Sequence, residues 1–409
     1  MTTVPIPFYA AVAVAGAIFL LVQALTRHLQ FLREVLPIPL AAGLIGAFLI
    51  LCGRGFGWNI EVPHQGTEVD FLIALLTTNM GLHLTRRVLA AGLPAFGVFL
   101  SGGIALFGLQ LAAAYLVAQA GPSPLETAIL TGPLSFLGAP YNLNPPAQVP
   151  PIADLLQPAF ADPEASARGM MMLGVLLGPL VASYLARRFF SRAGFGSPKP
   201  PAQDQETPRV SISSFAKRET TIVVLILIIV SAAFGIQAAL LALVPGLTDD
   251  HVPVIVIAYL LGGATRMAWI PVAGPRAFPE TALTALLLGP TMSIVLTYAI
   301  MSVPLHMLAN VSPPMLLAGV LVISCSAAVG ALLFPVFARI LDPYYAAVVA
   351  TAFVAVTTAW GPAAMSFLRR STDEAGEVEP MPAILPLSAF YIFPWTAILL
   401  TELVFVIFR

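Results

Sequence analysis

Long apolar runs alternate with short polar connections along almost the whole chain. A helix crosses the hydrocarbon of a bilayer with roughly 20 predominantly apolar residues, and ten runs come close to or exceed that length. They lie near residues 5–26, 35–53, 69–85, 93–119, 165–186, 220–244, 251–266, 288–306, 314–338 and 383–408. The pattern therefore predicts an all-α polytopic membrane protein with about ten transmembrane helices.

Two further apolar stretches begin like membrane helices and are then interrupted. The first is 124–146 (PLETAILTGPLSFLGAPYNLNPP) and the second is 343–366 (PYYAAVVATAFVAVTTAWGPAAMS). Each starts at a proline and then fills with Gly, Pro, Ser, Thr or Asn. Broken helix is tolerated at membrane depth only where protein covers it or where it lines a cavity. Paired interruptions in the two halves of a chain indicate the binding site of a transporter, so we expect two re-entrant hairpins.

A polar, proline-rich segment divides the chain into two halves of five helices each. It covers residues 189–218 and is expected to be a cytoplasmic linker. Residues 1–188 would form the first repeat and 219–409 the second, and an odd number of spans makes the two repeats inverted. Short similarities, such as that between 35–46 and 251–262, recur at offsets of about 216 to 223.

Composition and charge restrict the class of protein. Hydrophobic residues make up 58% of the 409 and charged residues 10%, whereas a soluble domain has about 25% charged residues. The net charge of −1 gives no reason to expect a nucleic-acid partner, and the bilayer is the expected partner. The charged residues concentrate in the connections.

The basic residues predict the orientation in the membrane. With the N-terminus outside, 16 of the 19 lysines and arginines, Arg266 among them, fall on the inner side. Only Arg54, Arg168 and Arg409 fall outside. This bias predicts a multi-pass protein of the cell inner (plasma) membrane with the N-terminus outside and the central linker in the cytoplasm.

Three stretches carry a resemblance to a known family. They are FLREVLPIPLAAGLIGAFLIL followed by GFGW (31–58), DFLIALLTTNMGL (70–82), and LDPYYAAVVATAF leading to WGPAAMSFLRR (341–370). The chain resembles the sodium/glutamate symporters. The resemblance implies two inverted five-helix repeats with one hairpin each, a small solute such as glutamate, coupling to sodium, and a homodimer formed through the scaffold helices.

Hydroxyl groups in the interrupted stretches are candidate ion ligands. Bare carbonyl and hydroxyl oxygens bind sodium in broken helices, so Ser135, Thr357 and Thr358 are predicted to hold the ion together with neighbouring carbonyls. Ser135 and Thr358 are also candidates for substrate contact. The two threonines have an alternative role, in which their hydroxyls bond back to a carbonyl of their own helix.

Other residues at the predicted hairpin tips are candidate substrate ligands. Asn142 and Asn144 offer both donors and acceptors for a polar solute, although they could equally cap the turn before the prolines that follow. The resemblance implies that glycines at the tips admit ion and substrate close to the backbone, and Gly138 and Gly361 stand there.

Three classes of function compete. The first is a secondary transporter that carries a small amino acid or organic anion with sodium by alternating access. The second is a family member that has lost transport and acts as a sensor or partner subunit, which the scarcity of glycine at the tips favours. The third is an intramembrane enzyme, but no metal-binding or nucleophilic constellation supports it.

No cofactor is expected beyond the coupling ion. Only Glu402 among the acidic residues lies well within a span, which argues against proton coupling.

Overall fold

The computed structural model describes most of the helical part of the chain. The described residues are 2–26, 36–63, 66–82, 84–119, 121, 123–136, 156, 163–194, 212–244, 252–273, 282–358 and 392–408. Two of the predicted substrate ligands, Asn142 and Asn144, and the tip glycines Gly138 and Gly361 lie outside these ranges.

Helices dominate the described residues. They are α1 (Phe8–Thr26), α2 (Ile38–Gly55), α3 (Thr67–Leu82), α4 (Arg86–Ala118), α5 (Pro124–Ile129), α6 (Pro163–Arg192), α7 (Ile212–Leu243), α8 (Val254–Ala273), α9 (Ala282–Met301), α10 (Pro313–Ile340), α11 (Pro343–Thr358) and α12 (Phe393–Phe408). A π-helical turn (Leu130–Leu134) follows α5, and a 3-10 turn (Leu305–Asn310) precedes α10.

A helix occurs at each of the ten predicted positions, and α5 and α11 begin the two interrupted stretches. Among the described residues, six helices are long and apolar enough to cross a membrane: α1, α2, α4, α6, α7 and α10. The chain is thus a mainly helical polytopic membrane protein, and ten spans remain a prediction.

The expectation of an all-α fold needs one correction, because two short strands pair beside the helices. Strand β1 (Thr2–Pro5) runs parallel to β2 (Trp58–Glu61), with Thr2 opposite Trp58. The pairing brings the residues before α1 to the residues after α2. Gly57 lies in the turn before β2 with φ +88°, a conformation that glycine adopts without steric cost.

The helices form two bundles. We call α1, α2, α3, α7, α8 and α9 the scaffold bundle, and α4, α5 with the π turn, α6, α10, α11 and α12 the core bundle. Within each bundle the helices pack extensively, whereas described helices of different bundles contact each other only sparsely. The 3-10 turn lies between the bundles and packs on α6 and α2. The chain passes between bundles at α3–α4, α6–α7 and α9–α10.

Helix contacts in the scaffold bundle come in corresponding pairs. Helix α2 packs on α9, and α8 packs on α3. A Cβ at Gly46 in α2 would lie 2.6 Å from Met301 Cγ in α9, and a Cβ at Gly262 in α8 would lie 2.5 Å from the Thr78 carbonyl oxygen in α3. Gly46 and Gly262 are 216 positions apart, which lies within the offsets at which short stretches of the sequence resemble each other. Small residues allow such close helix contacts in membranes.

The core bundle has the same correspondence. A Cβ at Gly103 in α4 would meet Phe393 of α12 at 2.5 Å, and one at Gly319 in α10 would meet Leu173 of α6 at the same distance. These two glycines are also 216 positions apart. Helices α4 and α10 pack against each other, so each half contributes one helix to the centre of the core bundle.

Two boundaries differ from the positions that the sequence predicted. Helix α6 continues to Arg192 and α7 begins at Ile212, so helix extends into both ends of the expected linker 189–218.

Arg266, which the orientation argument assigned to an inner connection, lies within α8 and is 6% exposed. A buried arginine adds nothing to a count of loop charges, so the bias rests on the remaining basic residues.

Replacing Gly262 with leucine is expected to lower the apparent melting temperature by roughly 5 °C or more, because the facing Thr78 carbonyl is backbone and cannot rotate away. Gly46→Leu should cost less, since the facing Met301 side chain is flexible. Gly235→Leu in α7 is the matched control, because nothing lies within 4 Å of its Cβ position. Thermal unfolding in detergent measures all three, and equal shifts for Gly262→Leu and Gly235→Leu would contradict the packing.

Candidate functional site

The first interrupted stretch loses its α-helical geometry inside the protein. Helix α5 gives way to the π turn, where Gly132 has φ −106° and ψ −117°. Pro133 follows and cannot donate a backbone hydrogen bond. The Ser135 hydroxyl donates to the Leu130 carbonyl at 2.5 Å, and all five residues of the π turn are buried. The break therefore lies where neighbouring helices cover it.

The second interrupted stretch begins with a single buried helix, α11. The Asp342 carboxylate accepts a hydrogen bond from the Tyr344 amide at 2.9 Å and so caps the start of the helix. Its last 13 residues, Ala346–Thr358, are buried, and the described helix ends at Thr358. Pro362 stands four residues further on and disfavours a longer helix. The described part of α11 therefore finishes in a buried turn, four residues before Pro362.

Both predicted threonine ligands bond back to their own helix. The Thr357 hydroxyl donates to the Phe353 carbonyl at 2.8 Å, and the Thr358 hydroxyl donates to the Val354 carbonyl at 2.6 Å. These bonds use the hydroxyl protons and leave oxygen lone pairs free to accept. Back-bonding and cation ligation are therefore compatible roles for the same side chains.

Helix α6 brings the two interrupted stretches together. A Cβ at Gly174 would lie 2.5 Å from the Thr358 carbonyl oxygen and 3.1 Å from Phe136 Cε1. One turn further, a Cβ at Gly178 would lie 2.7 Å from the Thr358 hydroxyl oxygen. The end of α11 and the segment next to Ser135 thus meet on one glycine face of α6. We call Ser135, Phe136, Thr357 and Thr358 with the two glycines the convergence site.

A buried hydrogen-bonded pair holds the centre of the core bundle beside this site. Gln110 Nε2 in α4 donates to the Ser326 hydroxyl in α10 at 3.0 Å, and the Ser326 hydroxyl donates to the Thr357 carbonyl at 3.1 Å. Gln110 and Ser326 are both fully buried. A Cβ at Gly132 would lie 3.2 Å from the Gln110 carbonyl oxygen. Gln110 therefore also packs against the first break.

The sequence prediction did not include Gln110 and Ser326. Each is a polar residue in a long apolar helix, and the two are 216 positions apart, the interval that also relates the packing glycines. That coincidence was the available signal. The Gln110 side-chain oxygen has no hydrogen-bond partner among the described residues, and a buried unpaired acceptor costs about 1–3 kcal/mol.

The described convergence site is built from neutral oxygen groups. Ser135 is 1% exposed and Thr357 and Thr358 are fully buried. Each hydroxyl lies at a backbone carbonyl of its own segment, namely that of Leu130, Phe353 and Val354, respectively. Such an environment favours a small hard cation over an anion.

Comparison with known proteins agrees with this geometry. The family model of the sodium/glutamate symporters matches residues 5–376, nearly the whole chain. The chain belongs to the sodium/glutamate symporter family. No individual curated protein matches it. The family is one of transporters and not of enzymes. The chain is therefore an integral membrane protein, a symporter of the general sodium/glutamate type.

Ser326→Ala is expected to destabilise the symporter by about 1–2 kcal/mol, because it leaves Gln110 without its acceptor and the Thr357 carbonyl without its donor. Ser324→Ala is the matched control. Ser324 is exposed on the same helix and donates only to the Val320 carbonyl of its own helix. A double-mutant cycle with Gln110→Ala, followed by thermal unfolding, should give a coupling of at least about 0.5 kcal/mol. Additive effects, or equal losses of stability for Ser324→Ala and Ser326→Ala, would show that the Gln110–Ser326 hydrogen bond does not stabilise the core bundle.

Proposed function

We propose that this chain carries a small amino acid or organic anion, with glutamate as the first candidate, together with sodium by alternating access. The observation that carries the proposal is the meeting of both interrupted stretches on Gly174 and Gly178 of α6. Paired breaks at one buried place are the arrangement in which transporters hold ion and solute.

Sodium is assigned to the oxygen groups of the convergence site. The candidate ligands are the hydroxyls of Ser135, Thr357 and Thr358 together with neighbouring backbone carbonyls. Neutral hydroxyl and carbonyl oxygens match the preference of a hard cation. The burial of all three side chains supports this assignment.

The solute is assigned to the tips of the two stretches. Ser135 and Thr358 would contact it from the described side, and Gly138, Asn142, Asn144 and Gly361 would complete the pocket from residues outside the described ranges. The amide groups of the two asparagines suit the polar groups of an amino acid or organic anion.

Alternating access would occur by movement of the core bundle against the scaffold bundle. The sparse contacts between described helices of the two bundles support this division. The corresponding contacts at 216 positions, which join α2 to α9 and α8 to α3, support two inverted repeats. Inverted repeats give a transporter two related conformations that open to opposite sides.

The remaining features of the proposal concern location and assembly. We place the N-terminus outside and the 189–218 linker in the cytoplasm of a cell whose inner (plasma) membrane holds the protein. Arg54 and Arg168 then lie at the outer end. Family resemblance is the support for a homodimer through the scaffold bundle.

Proteoliposomes with an inward sodium gradient should accumulate labelled glutamate or a related amino or carboxylic acid, whereas an equal potassium gradient should not drive accumulation. Asn142→Ala, Thr358→Ala and Gly361→Leu should each reduce uptake at least severalfold without preventing membrane insertion. Normal uptake in all three variants would remove the interrupted stretches from the mechanism. Sodium-dependent stabilisation without uptake of any tested solute would favour the sensor or partner-subunit function.

Thr358→Val should raise the sodium concentration that gives half-maximal thermal stabilisation by about tenfold. The reason is that losing one ligand is expected to cost about 1.4 kcal/mol of sodium-binding free energy, which corresponds to that factor. Thr358→Ser should restore most of the affinity. Thr351→Val is the matched control, since Thr351 lies in the same helix and bonds back to the Ala347 carbonyl at 2.7 Å. Equal sodium dependence in Thr358→Val and Thr351→Val would exclude Thr358 as a ligand.

A further inference from the structure

A cavity of 520 Å³ lies where the two bundles meet, away from the convergence site. Its walls come from the end of α2, strand β2, the 3-10 turn and the start of α6. Cavities of about 300–1,000 Å³ hold small-molecule ligands. The volume is thus sufficient for a solute of the size of glutamate.

Positive side chains from both bundles line this cavity. Arg54 stands in the last turn of α2 in the scaffold bundle, and Arg168 stands near the start of α6 in the core bundle. Both arginines are half-buried. A guanidinium group binds a carboxylate through paired hydrogen bonds, and a partly enclosed cavity strengthens its attraction for anions.

The other polar lining groups include Glu61, Asn59 and His306. The exposed Glu61 carboxylate accepts a hydrogen bond from Asn59 Nδ2 at 3.0 Å. Burial, together with the nearby Arg54 charge, lowers the pKa of His306, which favours the neutral imidazole. The neutral imidazole can donate one hydrogen bond and accept another.

We propose that this cavity is a second binding site, which takes a small carboxylate between Arg54 of the scaffold bundle and Arg168 of the core bundle. The site rests on the proposed function for its ligand class, since the transported solute is itself expected to be a carboxylate. On the proposed topology the cavity opens at the outer end. A carboxylate there would be captured before it reaches the convergence site and would tie the two bundles together.

The site differs from the convergence site in its chemistry. The convergence site is neutral and favours a cation, so solute binding there is expected to require sodium. Two guanidinium groups line the outer cavity, so carboxylate binding there is expected to need no sodium ion. Binding of a carboxylate in sodium-free buffer therefore reports on the outer cavity alone.

The test is thermal stabilisation of the purified full chain by L-glutamate and by succinate in sodium-free buffer of constant ionic strength. Both carboxylates should stabilise the wild type. Arg54→Gln and Arg168→Gln should each weaken the apparent affinity by about tenfold, since each removes a charged hydrogen-bonding partner. Sodium-dependent stabilisation should be unchanged in both variants. Arg188→Gln is the matched control, because Arg188 lies near the other end of α6 with its guanidinium 4.9 Å from the Tyr184 ring centre.

Each contrary result overturns a defined part of the inference. No sodium-free stabilisation of the wild type, or equal effects of Arg168→Gln and Arg188→Gln, would refute the site. Equal stabilisation by chloride with the same arginine dependence would reassign the cavity to an inorganic anion. Sodium-driven uptake in the same preparation would leave the proposed function intact in either case. In that uptake, Arg54→Gln should raise KM about tenfold and leave the maximal rate unchanged.

Discussion

Backbone polar groups inside a membrane protein must be paired or covered, and the contact between Thr358 and helix α6 meets this constraint where the two interrupted stretches meet. Each unpaired backbone group in hydrocarbon costs several kcal/mol. Gly174 and Gly178 let α6 lie against the last described turn of α11, and Ser326 donates to the Thr357 carbonyl. The buried neutral oxygens beside this contact are the ligands that we propose for sodium.

The same constraint explains the arrangement of the core bundle around its central helices. Helix α4 packs behind the first break at Gln110, and α10 contacts the last described turn of α11 through Ser326. The hydrogen bond between Gln110 and Ser326 links these two contacts. The scaffold bundle takes no part in this network among the described residues. Sparse contacts between the bundles would allow the core to move as a unit.

The sequence predicted the positions of the helices well, because apolar runs of membrane length leave few alternatives. It also located the break in the first interrupted stretch from Gly132 and Pro133, while the predicted interruption of the second stretch lies outside the described residues. Other features depend on contacts between distant segments. The pairing of Thr2 with Trp58 involves residues that no local pattern connects, and so does the cavity that Arg54 and Arg168 both line. Gln110 was missed because a single polar residue in an apolar helix has no local pattern, and only its 216-position interval to Ser326 pointed to a partner.

The glycines of α4 show how local pattern and packing differ. Four of them, at 97, 102, 103 and 108, are equivalent as small residues in an apolar helix. Of these four, only Gly102 and Gly103 face neighbouring side chains, of Leu333 and Phe393, while nothing lies within 4 Å of the Cβ positions of the other two. Which face of a membrane helix meets protein rather than lipid is decided by the assembled bundle.

Hydrogen–deuterium exchange with and without sodium tests the central claim most directly, namely that both interrupted stretches form one ion site. Sodium should slow exchange in peptides covering 130–136 and in those covering 353–358, with the same concentration dependence, and should leave α1 and α7 unchanged. Protection confined to one stretch, or sodium-dependent protection in the scaffold bundle alone, would contradict a shared site.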